Sequence, residues 1–192
     1  MVTETKTDRR ILRTKEAINK AFLELFTEKE LEQITINDIS ERANVNRGTI
    51  YLHYTDKYDL LDKCIEDHLS NMFVACSVSI DFNRDKIDLI DELTSVFDYF
   101  EANFLFFSAM ISTQRTSVFR ERMLQIVVAN LNEKLDQRDI HRSMNKELIV
   151  QFTASAFVGT TEWWIRNHMP HSPQYMAEQL WKLFEKHDVY AR

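Results

Sequence analysis

Arg47, Thr49, Tyr51 and His53 recur every second residue in the stretch NRGTIYLHY, with Gly48 between the first two. Their chemistry suits the edges of base pairs: a guanidinium donates two parallel hydrogen bonds to guanine, and a threonine offers both a hydroxyl and a methyl. A helix over about 46–54 turns Ile50 and Tyr54 inward and leaves the four side chains on or near the outer surface. Gly48 costs such a helix roughly 1 kcal/mol relative to alanine, so its presence predicts that something approaches the backbone closely. Asn46 stands at the helix entry, and the residue pattern alone assigns it no role.

These side chains need a scaffold, and the flanking residues supply one. Thr35 can cap a helix whose third residue, Asp38, favours the positive helix end. Ile36, Ile39 and Ala43 share one face of that helix, while Asp38, Glu41 and Arg42 face water. Asn44 tolerates the left-handed turn that must follow, and Val45 fills the angle between the two helices. Downstream, Asp56 and Asp59 cap a further helix with Lys57 in its first turn, where free N–H groups and a cation would together face an anion such as phosphate. The layout is that of a helix-turn-helix DNA reader. An ordinary helical hairpin with a solvated polar surface is the alternative.

The segment ITINDISERANVNRGTIYLHYTDKYDLL resembles the DNA-binding segment of the tetracycline-repressor (TetR) family of bacterial transcriptional regulators. The likeness covers roughly the first third of the chain: a basic first helix, the Thr-started second helix, the G-T-I-Y-x-H-Y recognition helix and the D-K-x-D-L-L start of a fourth. It implies that Thr35, Tyr51 and Lys57 hold phosphates and that Arg47, Thr49 and His53 contact or approach bases, with Asn46 and Gly48 in the same interface. It implies no particular operator.

Composition points the same way. The chain has 192 residues, 44% of them hydrophobic, but only two glycines and two prolines, too few turn residues for a sheet-rich fold. An all-α protein of about nine helices is expected, near residues 9–29, 36–43, 47–53, 57–79, 84–102, 104–112, 117–137, 145–168 and 173–187. Residues 1–63 form the expected DNA-binding domain and 64–192 an effector-binding and dimerisation body. The polar amino terminus lacks a signal peptide's apolar stretch, and the apolar run 148–165 is broken by Gln151, hydroxyl residues and Glu162, so a cytoplasmic protein with no membrane span is expected. Cys64 and Cys76 do not indicate a disulfide framework.

The net charge of −6 is unevenly spread: residues 1–63 hold 11 Lys+Arg against 12 Asp+Glu, whereas the rest holds 13 against 18. Within the first 15 residues, Lys6, Arg9, Arg10, Arg13 and Lys15 outweigh Glu4 and Asp8, making a basic arm able to reach phosphates or a minor groove. A disordered, merely solubilising tail is the competing reading for the first seven residues.

Aromatic residues and methionines fill the later helices, and each taken singly fits core packing. The TetR resemblance implies a small effector among the middle helices. A subset of Cys76, Phe100, Phe104, Phe107, Met123, Val127, Phe157 and Trp163 would then line its pocket, suiting an apolar or aromatic molecule. The last two long helices carry small residues (Ala154, Ser155, Ala156, Gly159, Thr160) beside bulky ones, a mixture that fits a two-fold four-helix dimer interface as well as an internal core. The resemblance favours the homodimer, reading two half-sites on double-stranded DNA. The carboxy-terminal part further resembles a subgroup that includes the activator of dihydroxyacetone kinase operons. A repressor released from a palindromic operator by its effector is the leading expectation, with an activator as the alternative.

No nucleophile, base and orienting acid are arranged for catalysis, so no enzyme and no cofactor is expected. Cys64 with His68, and His168 with His171, each supply only two metal ligands where a closed zinc site needs about four. A metal-responsive sensor and a helical interaction protein without DNA binding complete the alternatives.

Overall fold

The computed structural model describes residues 6–77, 86–112, 116–136 and 145–186. Within them lie nine α-helices: α1 (Lys6–Glu28), α2 (Ile36–Arg42), α3 (Arg47–Tyr51), α4 (Lys57–Ser77), α5 (Lys86–Ala102), α6 (Phe104–Ser112), α7 (Thr116–Asp136), α8 (Lys146–Arg166) and α9 (Pro173–Lys186). A 3-10 turn, Leu31–Gln33, joins α1 to α2 and had no counterpart in the sequence reading. The chain divides into two compact units, Met1–His68 and Leu69–Arg192, with the boundary inside α4.

In the first unit α1 packs on α2 and α2 on α3. Ile18, Phe22, Ile34, Ile39, Ile50 and Leu60 are completely or almost completely buried and form its core. Both ends of α2 are specified locally. The Thr35 hydroxyl accepts the Asp38 amide (3.2 Å) while the Asp38 carboxylate accepts the Thr35 amide (2.9 Å), a reciprocal pair that starts α2. The Thr35 amide and hydroxyl, both donating to it at 2.9 Å, with Lys29 at 3.3 Å, hold the Asp38 carboxyl below the usual carboxylate range. Asn44 ends α2 at φ 52°, in the left-handed region foreseen for it. Arg42 forks onto Glu28 with two 2.9 Å contacts, fastening α2 to the end of α1.

The second unit packs α5 on α9 and α7 on α8, with α6 against α5, α7 and α8. Its centre is aromatic: the Phe97 ring meets Trp164 edge-on at 5.2 Å and Phe157 at 6.0 Å, and Phe100 meets Phe107 at 4.6 Å. Trp164 also closes the α8–α9 turn, its indole N–H donating to the His171 carbonyl at 2.9 Å. Two non-glycine residues in that turn, His168 and Met169, adopt positive φ, held by amide hydrogen bonds to the Ile165 and Trp164 carbonyls. Ser172 accepts the Tyr175 amide at 3.3 Å to begin α9.

Candidate nucleic-acid interface

α3 is short, with a side chain capping its start and backbone amides closing its end. Asn46 caps α3, its Oδ1 accepting the Gly48 amide at 2.9 Å, which gives the entry residue a structural task. At the far end both His53 and Tyr54 donate their amides to the Ile50 carbonyl. The Lys63 ammonium then takes the His53 carbonyl at 3.0 Å while pairing with Asp59 at 2.9 Å. The α-helix therefore stops at Tyr51, earlier than the sequence pattern suggested.

Ile50 and Tyr54 turn inward, as expected, and the Tyr54 hydroxyl donates to Asn19 of α1 at 3.0 Å. Burial pushes the Tyr54 phenol well above its ordinary range, so it remains a neutral donor. Arg47, Gly48 and Tyr51 are exposed, and Thr49 and His53 are half-buried. The Arg47 side chain makes no ion pair or hydrogen bond among the described residues, leaving its five donors for a partner. A Cβ added to Gly48 would meet only Asn46 Oδ1, at an ordinary 3.5 Å. The chain's own packing therefore does not demand glycine there.

Leu52 is the residue that sequence reasoning missed. It is 80% exposed, the most exposed large hydrophobic side chain among the described residues. A leucine defaults to the core in pattern reasoning. The signal available was its position: four residues after Gly48 and two after Ile50.

Lys57, expected at a phosphate, is engaged within the chain. Its ammonium donates to the carbonyls of Leu31 (2.7 Å), Glu32 (2.8 Å) and Ile34 (2.9 Å), using all three of its N–H donors on the chain itself. These contacts staple the start of α4 to the 3-10 turn that precedes α2. The cap of α4 itself is the foreseen one, Asp56 accepting the Tyr58 and Asp59 amides at 2.8 Å each. Thr35 is exposed beside it, its hydroxyl engaged with Asp38.

Upstream, Arg9, Arg10, Arg13, Thr14 and Ala17 of α1 and Val45 of the turn line an open concavity of about 650 Å³. Three guanidiniums around an apolar floor make this a cationic surface on the same unit as α3. Of the remaining basic arm, Lys15 is exposed and the Lys6 side chain lies outside the described residues.

In the body, Phe100, Phe107, Met123, Val127 and Phe157 are buried, and Phe104 is half-buried with its ring 6.3 Å from His168. The Cys76 side chain lies outside the described residues. Trp163 does not join this group: it is 48% exposed and its ring lies 6.3 Å from His171, which stacks at 4.6 Å on Tyr175. Position explains the split, because residues six apart on a helix point about 120° away from one another. The hydroxyls of Thr153 and Thr161, buried on α8, have no hydrogen-bond partner among the described residues.

Cys64 and His68 lie one turn apart on α4, and His168 and His171 lie in the α8–α9 turn. The Cys64 thiol is buried and pushed up to about 12, and burial lowers the His68 imidazole to about 4. His168 and His171 each stand against different aromatic rings. Among the described residues no group of three or more His, Cys, Asp and Glu side chains is placed to hold a metal ion.

Residues 18–64 match the family described as bacterial regulatory proteins, tetR family, and residues 87–186 match the transcriptional regulator C-terminal region. The uncharacterized HTH-type transcriptional regulator YxbF of Bacillus subtilis is 43% identical over 75 residues, 35% of this chain but only 20% of that protein's length. The dhaKLM operon transcriptional activator DhaS of Lactococcus lactis is 26% identical over 154 residues, 77% of each chain. A solved structure of a dihydroxyacetone kinase operon activator DhaS superposes with TM-score 0.67 at 22% identity, covering 91% of this chain and 95% of that one. The fold is also similar to that of the Bacillus subtilis regulator FadR, solved in complex with stearoyl-CoA, at TM-score 0.63 and 18% identity over 88% of this chain and 96% of that one.

Proposed function

The chain belongs to the TetR family of bacterial transcriptional regulators, and from that premise we propose a homodimeric repressor whose operator binding is relieved by a small effector. The observation that carries the reading is α3. Ile50 and Tyr54 anchor it inward, while Arg47, Gly48 and Tyr51 stand exposed with Thr49 and His53 beside them. A guanidinium free of any partner among the described residues, on a helix this short, is suited to a bidentate contact with guanine. The cationic concavity of α1 supports a second, sequence-independent contact with phosphates or a minor groove. Residues 1–63 would serve as the reader and 64–192 as the regulatory body, with α4 common to both units.

Dimerisation through α8 and α9 is supported by what those helices leave exposed. Leu148, Phe152 and Trp163 on α8, with Tyr175 and Leu183 on α9, are each 45% exposed or more. Gly159, between Phe152 and Trp163, would meet nothing within 4 Å if it carried a Cβ. A bare backbone amid bulky apolar side chains suits the close approach of a second copy.

For the effector, an apolar or aromatic molecule among Phe100, Phe104, Phe107, Met123, Val127 and Phe157 fits the side-chain chemistry. The fatty acyl-CoA bound by the structurally similar FadR is consistent with that class. Activation rather than repression is the second reading, favoured by the likeness to the activator DhaS in sequence and fold. No described helix is long and apolar enough to cross a membrane. A cytoplasmic site of action follows from the proposed DNA partner.

Selection of genomic fragments by the purified protein, with affinity measured across a salt series, tests the function. A salt-sensitive, sequence-selective duplex is expected, and Arg47→Ala should weaken it by about 1–3 kcal/mol while relaxing preference at one or two positions. Absence of any selective duplex would favour an interaction protein that does not read DNA.

A further inference from the structure

We propose that Leu52 is a specificity-determining residue that packs against a thymine 5-methyl group in the major groove. The proposal rests on the DNA-reading function above and adds to it a base-specific apolar contact. At 100° per residue, Gly48 of α3 and Leu52, the residue that closes it, are the positions most nearly opposite the buried Ile50, each about 160° around the axis from it. Arg47 and Tyr51 lie nearer the inward side on one flank, and Thr49 and His53 on the other. The observed exposures agree: Ile50 is completely buried, Thr49 and His53 are half-buried, and Leu52 is 80% exposed. Leu52 keeps right-handed helical backbone angles, φ −69° and ψ −22°, so the helical geometry extends to it.

Helical side chains lean toward the amino terminus, which brings Leu52 over the turn where Gly48 leaves the backbone bare. The centre of the outward face is thus a notch followed by an apolar knob, flanked by the hydrogen-bonding side chains. Gly48 admits a surface close to the backbone, and what Leu52 then meets must be apolar to match it. Among the groups displayed in the major groove the thymine methyl is the apolar one. Burial of both in an interface removes Leu52 from water, where the isolated chain leaves it.

The test uses duplexes that the full-length wild-type protein selects from a random pool, resynthesised with uracil replacing thymine one position at a time. At one position in each half-site, loss of the methyl should weaken wild-type binding about fourfold, the equivalent of roughly 0.8 kcal/mol for a buried methyl group. Leu52→Ala should bind the thymine and uracil forms of that position equally, with its helical circular dichroism unchanged because the side chain is exposed. Arg47→Ala should keep the uracil sensitivity while losing preference elsewhere. The proposal is overturned if no position is uracil-sensitive, if Leu52→Ala retains the sensitivity, or if Leu52→Ala binds every duplex as the wild type does. If the wild-type protein selects no sequence at all, the DNA-reading function itself falls, and this contact with it.

Discussion

The Lys57 ammonium lies 2.9 Å from the Ile34 carbonyl, one residue before the Thr35 cap of α2, and it holds two more carbonyls of the same turn. The lysine thus fixes where the helix-turn-helix begins relative to α4. Removing it takes this donor from all three carbonyls and leaves Leu31 with only the Ile34 amide among the described residues, and charge-assisted hydrogen bonds of this kind contribute about 1.5–3 kcal/mol. Lys57→Ala should therefore lower the thermal midpoint of the protein while leaving the salt dependence of DNA binding unchanged. A fall of about 0.9 in the log–log salt slope with no loss of stability would return Lys57 to the role of phosphate ligand.

Gly159 and Phe157 are two residues apart on α8 yet face different surroundings, one open space and the other the aromatic core. Gly159→Glu should yield a folded monomer, because the new side chain has room within one protomer and none between two. Phe157→Asp should instead unfold the body, since it buries an unpaired carboxylate where a ring had packed. Sedimentation together with circular dichroism separates the outcomes. A Gly159→Glu protein that remains dimeric at micromolar concentration would move the interface off this face of α8.

His68 should make the protein's stability sensitive to acid. Burial depresses its imidazole to about 4, with Asp67 opposing the shift, whereas in the unfolded chain the group titrates near its ordinary 6.5. Between those values the unfolded state binds the extra proton, so this contribution is fully present above about pH 6.5 and is lost as pH falls toward 4, at a slope of at most about 1.4 kcal/mol per pH unit. Urea midpoints measured from pH 7.5 to 4.5 should fall more steeply for the wild type than for His68→Gln. Equal slopes would show that other groups govern acid stability in this range.

The helices were legible because their determinants are local. The expected boundaries of α2 and α6 lie within a residue of those observed, since Thr35 with Asp38 and the 3.6-residue apolar spacing act over a few residues. What escaped notice was set by distant partners. Lys57 finds its acceptors 23 to 26 residues upstream, and Lys63 finds the His53 carbonyl ten residues back, so neither the staple nor the early end of α3 is written in its own neighbourhood. Phe157 and Trp163 were read as one aromatic set because composition does not say which side of a helix meets the core. The outward side chains of α3 were read from their alternation along the chain, but Leu52, which falls outside that alternation, was hidden by its apolar character.

Because α4 belongs to both compact units, a molecule bound in the body can act on the reader through it, by as much as its affinities for two arrangements of the protein differ. Typical coupling is about 1–3 kcal/mol, a change in operator affinity of about 5- to 150-fold. Phe104 is the better probe of this coupling than Phe107. It is half-buried beside His168, whereas Phe107 is completely buried 4.6 Å from Phe100, where truncation to alanine costs roughly 3–5 kcal/mol. A panel of apolar and aromatic compounds scored by thermal shift supplies the effector. Phe104→Ala should then fold, keep operator selectivity and lose part of the effector response. A wild-type response would assign Phe104 to packing alone, and an effector that tightens operator binding would reverse the sign of the coupling and favour the activator reading.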